Sequence, residues 1–405
     1  MRRGATRMFA NFNSFAVTIP WLSGQILKSY KLHTTFALSN FCFMAFSKVH
    51  NFNSGPAILP DEVFEQSASA VLNYNDTGLS ILEIGHRTPA FVNILTEARL
   101  LVRELLELSD QQEVLFLSGG ASTQFMQVPM NLLDTKECAA FTDTGVWGQK
   151  AIKEAAFFGR PEIVCSGKEN GYTAIPKDFA IPNDAKYLHI TSNETIYGTQ
   201  WKKIPATSNH LVVDMSSDIF SRVMPHHTYG IIYAGAQKNL GAAGTTLVVV
   251  NKNLLGKVKR KIPTILDYNR HIEEGNLLNT PPVFNIYVCL LVLRWIKKNG
   301  GLVAMEELNK TKAALLYDHL DNSKIFEGTV AKEDRSMMNI CFRCKNQKDE
   351  TAFLDFATNN NIVGIAGHRL AGAFRASLYN AMPISSVEYL IGIMKEYEDS
   401  GKSDT

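Results

Sequence analysis

Three short apolar runs, Leu211-Val212-Val213, Ile231-Ile232-Tyr233 and Leu247-Val248-Val249-Val250, set the tightest limit on how this chain folds. Each is short, rich in β-branched residues and bounded by glycine or polar residues, the pattern of strands buried inside a sheet. Between the second and third runs lies Ala234-Gly235-Ala236-Gln237-Lys238-Asn239-Leu240-Gly241, a loop of small residues carrying one lysine. An ammonium between two buried strands is costly unless something uses it. Desolvation lowers the pKa of such a lysine and lets the amine attack a carbonyl carbon. Taken alone, Lys238 also reads as a strand-end lysine that reaches solvent.

The first run changes that balance. It ends in Asp214, followed by Met215, Ser216 and Ser217. A carboxylate and a lysine, each at the end of a core strand, suit pyridoxal 5'-phosphate. The acid keeps the pyridine nitrogen protonated and the lysine holds the aldehyde. A third element fits the same ligand. The run Val114 to Leu117 leads into Ser118-Gly119-Gly120-Ala121-Ser122-Thr123 and then a helical stretch from Gln124 to Leu133. Free backbone N–H groups at a helix start, after a glycine pair, make a generic anion cradle. It matches neither a nucleotide P-loop nor the dinucleotide fingerprint, and glycine is also common at any tight strand-to-helix turn.

The alternation of strands and helices continues through Ala139–Thr142, Gly145–Phe158, Ile163–Cys165 and Tyr187–Ile190. It predicts an α/β fold with a mostly parallel, doubly wound sheet, whose ligands sit beyond the carboxyl ends of the strands. Ser118, Asp143, Ser192 to Thr195, Asp214 and Lys238 all follow strands and share one expected crevice. After Ile286–Lys298, an amphipathic helix stopped by Gly300 and Gly301, short strands mix with helices. This marks a smaller α+β C-terminal domain. The expected division is an N-terminal extension 1–48, an N-terminal segment 49–60, a large cofactor-binding domain 61–298, a small domain 299–397 and a polar tail 398–405. Pro60, Asp61 and Glu62 open the first helix, with Val63, Phe64, Ala68, Val71 and Leu72 as its core stripe.

Composition narrows the partners. The 405 residues are 45% hydrophobic and 20% charged, an ordinary soluble mixture with a net charge of +2. Nothing in it calls for a nucleic-acid or membrane surface, and no apolar run reaches the length of a span. Six scattered cysteines fit a reducing compartment. Cys341 and Cys344 read as strand or turn residues, since no second pair stands at zinc spacing; no metal is expected. Residues 1–48 hold Arg2, Arg3, Arg7, Lys28, Lys31 and Lys48, and no acid precedes Asp61. This fits a start assigned too far upstream, with Met44 as the true one, better than a targeting peptide. The expected location is the cytoplasm.

The motifs, taken in order, closely resemble the phosphoserine aminotransferases, class V, fold-type I pyridoxal-phosphate enzymes. They are Asn51-Phe52-Asn53-Ser54-Gly55-Pro56, His86-Arg87, Gly119-Gly120 with Gln124, Asn193-Glu194-Thr195, Asp214-Met215-Ser216-Ser217, Ala234 to Asn239, Asn279-Thr280-Pro281-Pro282, Gly367-His368-Arg369, and Phe374-Arg375-Ala376-Ser377 with Tyr379-Asn380-Ala381. They cover about 50 to 397.

The resemblance implies a set of roles. Lys238 carries the cofactor as a Schiff base and shuttles a proton, Asp214 pairs with the pyridine nitrogen, Trp147 stacks on the ring and Thr195 bonds its hydroxyl. Ala121, Ser122 and Gln237 hold the cofactor phosphate. Asn279 and Thr280 reach that phosphate from the partner subunit of a homodimer with shared active sites. Arg375 clamps the α-carboxylate in a bidentate fork, and Ser54 lies at the mouth of the amino-acid site. His86, Arg87, His368 and Arg369 bind the substrate phosphate or the side-chain carboxylate of glutamate. Some family members carry an arginine where this chain has Ser122, so here the phosphate pocket relies on the two His-Arg pairs.

The implied reaction moves the amino group of L-glutamate to 3-phosphohydroxypyruvate, giving O-phospho-L-serine and 2-oxoglutarate for serine biosynthesis. A phosphorylated threonine analogue (4-phosphohydroxy-L-threonine) used in pyridoxine biosynthesis is a plausible second substrate. The rivals are an alanine:glyoxylate-type enzyme, a cysteine desulfurase, and a non-catalytic pyridoxal-phosphate-binding protein. A desulfurase needs a cysteine in a mobile active loop. An alanine-type enzyme has no need of both His-Arg pairs, and a non-catalytic binding protein has no use for the Arg375 clamp. Because the motif series starts only at Asn51, a chain starting at Met44 is expected to be as soluble and active as the full chain. Loss of folding or activity on that truncation would make residues 1–43 a docked part of the domain.

Overall fold

The computed structural model describes residues 49–371 and 374–401. The N-terminal extension 1–48, with the proposed start at Met44, and the last residues of the polar tail lie outside the described residues.

The chain opens with β1 (His50–Asn51), α1 (Asp61–Leu72) and α2 (Pro89–Leu105), then alternates β2 (Gln112–Ser118), α3 (Ala121–Leu132), β3 (Cys138–Asp143), α4 (Val146–Ala155) and β4 (Arg160–Ser166). Four strands follow, β5 (Ala185–Thr191), β6 (His210–Asp214), β7 (Ile231–Gly235) and β8 (Thr245–Asn251), then α5 (Tyr268–Glu273), α6 (Val283–Lys298) and α7 (Gly301–Asn322). The end of the chain supplies β9 (Phe326–Gly328), β10 (Asn339–Cys344), α8 (Asp349–Asn359), β11 (Ile362–Val363), β12 (Phe374–Ser377) and α9 (Ile384–Asp399).

The central sheet has seven strands in the order β2-β8-β7-β6-β5-β3-β4. Its pairs are parallel from β7 through β4, while β8 runs antiparallel to both β7 and β2. The exception has a simple cause. The connection from β7 to β8 is too short for a crossover, so the chain must turn back beside itself. The sequence also suggested helices between all strands, yet β5–β6 and β6–β7 are joined by irregular chain with one short 3₁₀ turn, His226–Thr228. Gly198, Pro205 and Pro225 interrupt these segments.

Both faces of the sheet are covered, which is why its strands read as continuous apolar runs. Phe116, Val213, Ile232 and Val249 enter one core with α2 and α6, while Leu117, Val212, Tyr233 and Val248 enter the other with α3 and α4. Neighbouring residues along each strand thus serve opposite cores. α1 turns differently from its expected stripe. Val63, Ser67 and Ala70 are buried, a narrow i, i+4, i+7 line, whereas Phe64 and Leu72 are 52% and 84% exposed.

A further core surrounds the sheet β12-β10-β9, with α8, α9 and the second half of α7. α7 serves both regions: Leu302 and Met305 pack with the large sheet, and Leu316 and Leu320 with the smaller one. Gly300 ends α6 as expected, but Gly301 already begins α7. Cys341 and Cys344 are buried free thiols on β10. Tyr397 is fully buried and α9 runs to Asp399, so the order of the chain extends past the expected start of the tail. The N-terminal segment joins this region too. β1 pairs in parallel with β11, and Phe52 is buried in the smaller core. Among the described residues no helix is long and apolar enough to cross a membrane, and no group of His, Cys, Asp and Glu can hold a metal ion.

Phe326 lies at the centre of the smaller core, with ring centroids 4.6 Å from Phe353 and 6.1 Å from Phe342. Phe326→Ala should destabilise that region by about 3–5 kcal/mol, seen as a lower denaturant midpoint with cofactor-site residues left in place. A loss below about 1 kcal/mol would show that the core collapses around the gap.

Candidate active site

A cavity of about 370 Å³ opens beyond the carboxyl ends of β2, β3, β5, β6 and β7. Ala121, Ser122, Trp147, Asp214, Gln237 and Lys238 line it. Each belongs to a strand-to-loop exit, which is where a twisted parallel sheet leaves room for a ligand.

Lys238 is 9% exposed, and its Nζ donates to Thr195 Oγ1 at 2.6 Å. The same nitrogen is 5.3 Å from the centroid of the Trp147 ring. Burial pushes the lysine pKa below its ordinary value, against the opposing pull of Asp214 and Glu194. The N-terminal segment packs over the loop, with Ala57 N donating to Gln237 O at 2.9 Å.

Asp214 is 4% exposed, at the end of β6. Ser216 holds its Oδ1 twice, through the backbone N–H at 2.9 Å and the hydroxyl at 2.6 Å. The Ser216 hydroxyl also accepts from Gly235 N at 3.1 Å, so it ties the carboxylate to the strand that leads into Lys238. Burial raises the Asp214 pKa, and the Ser216 bonds and Lys238 oppose that rise. Both Ser216 bonds engage Oδ1, so a ligand donor is met by Oδ2.

The glycine pair forms the expected cradle. Gly119 and Gly120 take φ +114° and +81°, and a Cβ on Gly119 would collide with the Thr123 hydroxyl. α3 starts at Ala121, earlier than the sequence suggested, and no side chain caps it. Thr123 N donates to Gly120 O at 3.1 Å, and the N–H groups of Ala121 and Ser122 remain for a bound anion. These features fit pyridoxal phosphate: an anion cradle at one end, a buried carboxylate at the other, an indole between them and a buried amine within reach.

Arg375 is 8% exposed on β12. Its Nη2 donates to Ser54 Oγ at 2.7 Å and its Nη1 to Thr195 O at 3.3 Å. Thr195 thus touches both Lys238 and Arg375. His368 lies close enough to Arg375, Arg369 and Lys150 for their charges to act on it. Burial first, then those cations, push its pKa down. Lys150 Nζ sits 4.5 Å over the Trp147 ring.

The other expected residues lie apart within this chain. His86 and Thr280 line a second cavity of about 400 Å³ together with Pro281, Pro282 and Asn285. Arg87 and Asn279 are exposed. The two cavities are linked by Asn285, whose Nδ2 donates to Ala243 O at 2.6 Å on the rim of the first.

Comparison with known proteins follows the same lines. The class-V aminotransferase family matches residues 49–390. The phosphoserine aminotransferase of Flavobacterium psychrophilum is 50% identical over 353 residues, which are 87% of this chain and 99% of that protein. The chain belongs to the phosphoserine aminotransferases. That of Parabacteroides distasonis is 52% identical over the same share of each chain. Among solved structures, the phosphoserine aminotransferase from Bacillus circulans subsp. alkalophilus superposes with a TM-score of 0.85 at 41% identity, covering 88% of this chain and 99% of its own. The pyridoxal-phosphate-bound phosphoserine aminotransferase from Trichomonas vaginalis gives 0.82 at 33%, covering 86% and 100%. An alanine–glyoxylate aminotransferase from Nostoc sp., at 18% identity and 0.68, shares the fold alone.

In this phosphoserine aminotransferase, two residues beside the site escaped the sequence reading. Lys150 stands three positions after Trp147 on α4, and that helical spacing was the signal. Glu194 stood inside a motif but had no assigned part. It is 1% exposed, and burial pushes its carboxyl well above the usual range. It lies against Gly145, where a Cβ would come within 2.6 Å of Glu194 Oε2. Gly145 takes φ +153° just before α4, so this approach fixes where Trp147 begins its helix. Gly145→Ala should therefore displace Trp147 and weaken pyridoxal-phosphate binding roughly tenfold, or ~1.4 kcal/mol, in an absorbance titration. Adding Glu194→Ala should recover most of that loss; if it does not, backbone strain at residue 145 is the cause.

Proposed function

We infer that this phosphoserine aminotransferase moves the amino group of L-glutamate to 3-phosphohydroxypyruvate, releasing O-phospho-L-serine and 2-oxoglutarate, with pyridoxal 5'-phosphate as cofactor. The observation that carries the residue assignments is the meeting of Lys238, Asp214 and Trp147 in one cavity, with Arg375 one residue away through Thr195.

When bound, the cofactor supplies an electron sink for the pair left on the substrate Cα. The remaining work falls to side chains. Lys238 would hold the cofactor and, with its pKa lowered by burial, would take up the proton from the substrate Cα and give it back in the transfer. Asp214, kept in place by Ser216, would keep the ring nitrogen protonated. Trp147 would cover the ring face, Thr195 would bond the ring hydroxyl, and Ala121, Ser122 and Gln237 would hold the phosphate. Arg375 forks onto the α-carboxylate, with Ser54 fixing the guanidinium at the mouth.

The second anionic group of the substrate needs its own cations, because Arg375 is used by the carboxylate. His368 feels the charges of Arg375, Arg369 and Lys150, so His368, Arg369 and Lys150 are the candidates. His86, Arg87, Asn279 and Thr280 serve the site of the partner subunit in a homodimer. Two facts support this. These residues gather around a cavity apart from Lys238, and the segment carrying His86 exposes Phe64, Leu72, Leu79 and Leu82, an apolar surface suited to an interface. The phosphorylated threonine analogue presents the same two anions and is a second substrate of this class.

Lys238→Ala is expected to abolish transfer and the visible absorbance of the bound cofactor, and Asp214→Asn to retain the cofactor but slow the chemistry. A Lys238→Ala protein with an unchanged spectrum would sink the assignment. Arg369→Ala and Arg87→Ala should each lower kcat/KM for 3-phosphohydroxypyruvate by about tenfold to a hundredfold, and spare hydroxypyruvate. Equal loss on both substrates would place the phosphate site elsewhere. A mixed dimer of Arg87→Ala and Lys238→Ala subunits should regain activity, since one of its sites then holds neither defect. A mixed dimer as weak as its Arg87→Ala parent argues against sharing.

A further inference from the structure

One buried cation is not used by the chemistry above. Lys312, on α7, is fully buried, and its Nζ donates to three successive carbonyls: Leu378 O at 3.0 Å, Tyr379 O at 2.7 Å and Asn380 O at 3.4 Å. Among the described residues no charged neighbour acts on it; burial alone pushes its pKa down to about 7. A buried amine without a carboxylate is an expensive way to fill space, and an apolar side chain would pack there at less cost.

The three carbonyls lie just past the end of β12, the strand that carries Arg375. From this turn, hydrogen bonds run to both halves of the active site. Tyr379 OH donates to Ser54 O at 2.7 Å, and Ser54 Oγ accepts from Arg375. Asn380 N donates to Asn239 Oδ1 at 2.9 Å, beside Lys238. Asn309, one turn before Lys312 on α7, donates to Asn380 Oδ1 at 2.8 Å and to Ser221 O at 3.0 Å. Asn380 Nδ2 in turn donates to Phe220 O at 2.9 Å. Phe220 is a fully buried aromatic held at φ +59°. A bulky residue persists in that conformation only where its surroundings demand it.

We propose that Lys312, with Asn309 and Asn380, is a positioning device that fixes the Leu378–Asn380 turn and thereby sets the placement of Arg375 relative to Lys238. Lys312 is not a catalytic residue, since it touches neither the cavity nor Arg375. It acts through the turn on two arms, one ending at the guanidinium and one at the loop of the cofactor lysine. Removing its donors leaves the buried carbonyls of Leu378 and Asn380 unanswered, Tyr379 O retaining only Met382 N at 2.9 Å, and the turn must shift to find water or new partners. The arm to Ser54 then loosens first, because Ser54 is only half-buried. The proposal rests on reading Arg375 as the carboxylate clamp.

The test uses the holoenzyme and glutarate, which has the two carboxylates of glutamate but no amine. Lys312→Met should raise the glutarate Kd and the glutamate KM by about tenfold while kcat stays within about threefold. Cofactor content and visible spectrum should be unchanged. In an Arg375→Ala background the same substitution should add less than about twofold, because its route to the ligand is already cut. Unaltered glutarate binding in Lys312→Met, or an undiminished effect in the Arg375→Ala background, overturns the proposal. Arg375→Ala alone separates the two readings: if it leaves glutarate binding intact, the clamp assignment fails on its own account. Should Lys312→Met not fold, Asn309→Ala removes one bond to Asn380 and must show the same Arg375-dependent rise; a change independent of Arg375 overturns the proposal.

Discussion

The amine of Lys238 is kept out of water, and much of the structure follows from how that is done. Its loop leaves β7 and returns as β8, so strands flank it on either side. The N-terminal segment closes over it, Trp147 lies beside it, and the carboxylates of Asp214 and Glu194 face it. Burial pulls its pKa down while the two carboxylates pull it up. A lysine pKa lowered in this way suits the proton-transfer role proposed for Lys238. The carboxylates are themselves buried and raised. Each of the three groups is therefore tolerable inside the protein chiefly because the others are there.

This arrangement explains the one antiparallel strand, β8, which lies beside the edge strand β2 of an otherwise parallel sheet. A crossover between β7 and β8 would carry the chain to the far end of the sheet and across one of its faces. The tight return keeps both strand ends at the cavity. Gln237 and Lys238 then sit on one side of the turn and Ala243 and Gly244 on the other. Parallel pairing of β5, β6 and β7 brings Thr191, Asp214 and Gly235 to the same edge.

Much of the fold was legible because buried strands have a plain signature. Val212, Ile232 and Val248 come from unbroken apolar runs, and those runs became the sheet interior. The cavity was legible because Asp214, Lys238 and the glycine pair all stand at strand exits. What the sequence could not show depends on distant partners. β1 and β9 are only two and three residues long and carry no periodic pattern. The stripe of α1 was misread at Phe64 and Leu72 because the helix buries only a narrow line, and apolar residues off that line remain exposed. Glu194 and Lys312 look like ordinary charged residues in the chain. Only their burial, created by segments far away in sequence, gives them a role.

The pairing of β1 with β11 has a consequence for the order in which the protein is made. Synthesis runs from the amino end, so Ser54 and Phe52 leave the ribosome first. Their partners come late: Phe52 O accepts from Ser377 N at 3.3 Å, and Ser54 meets Arg375. The large sheet, whose strands all lie between residues 112 and 251, can form while these partners are still unmade. The contact of Ser54 with Arg375 can therefore be completed only near the end of translation. The sheet that carries Lys238 and the strand that carries Arg375 thus become available at separate times in the life of each molecule, in that order.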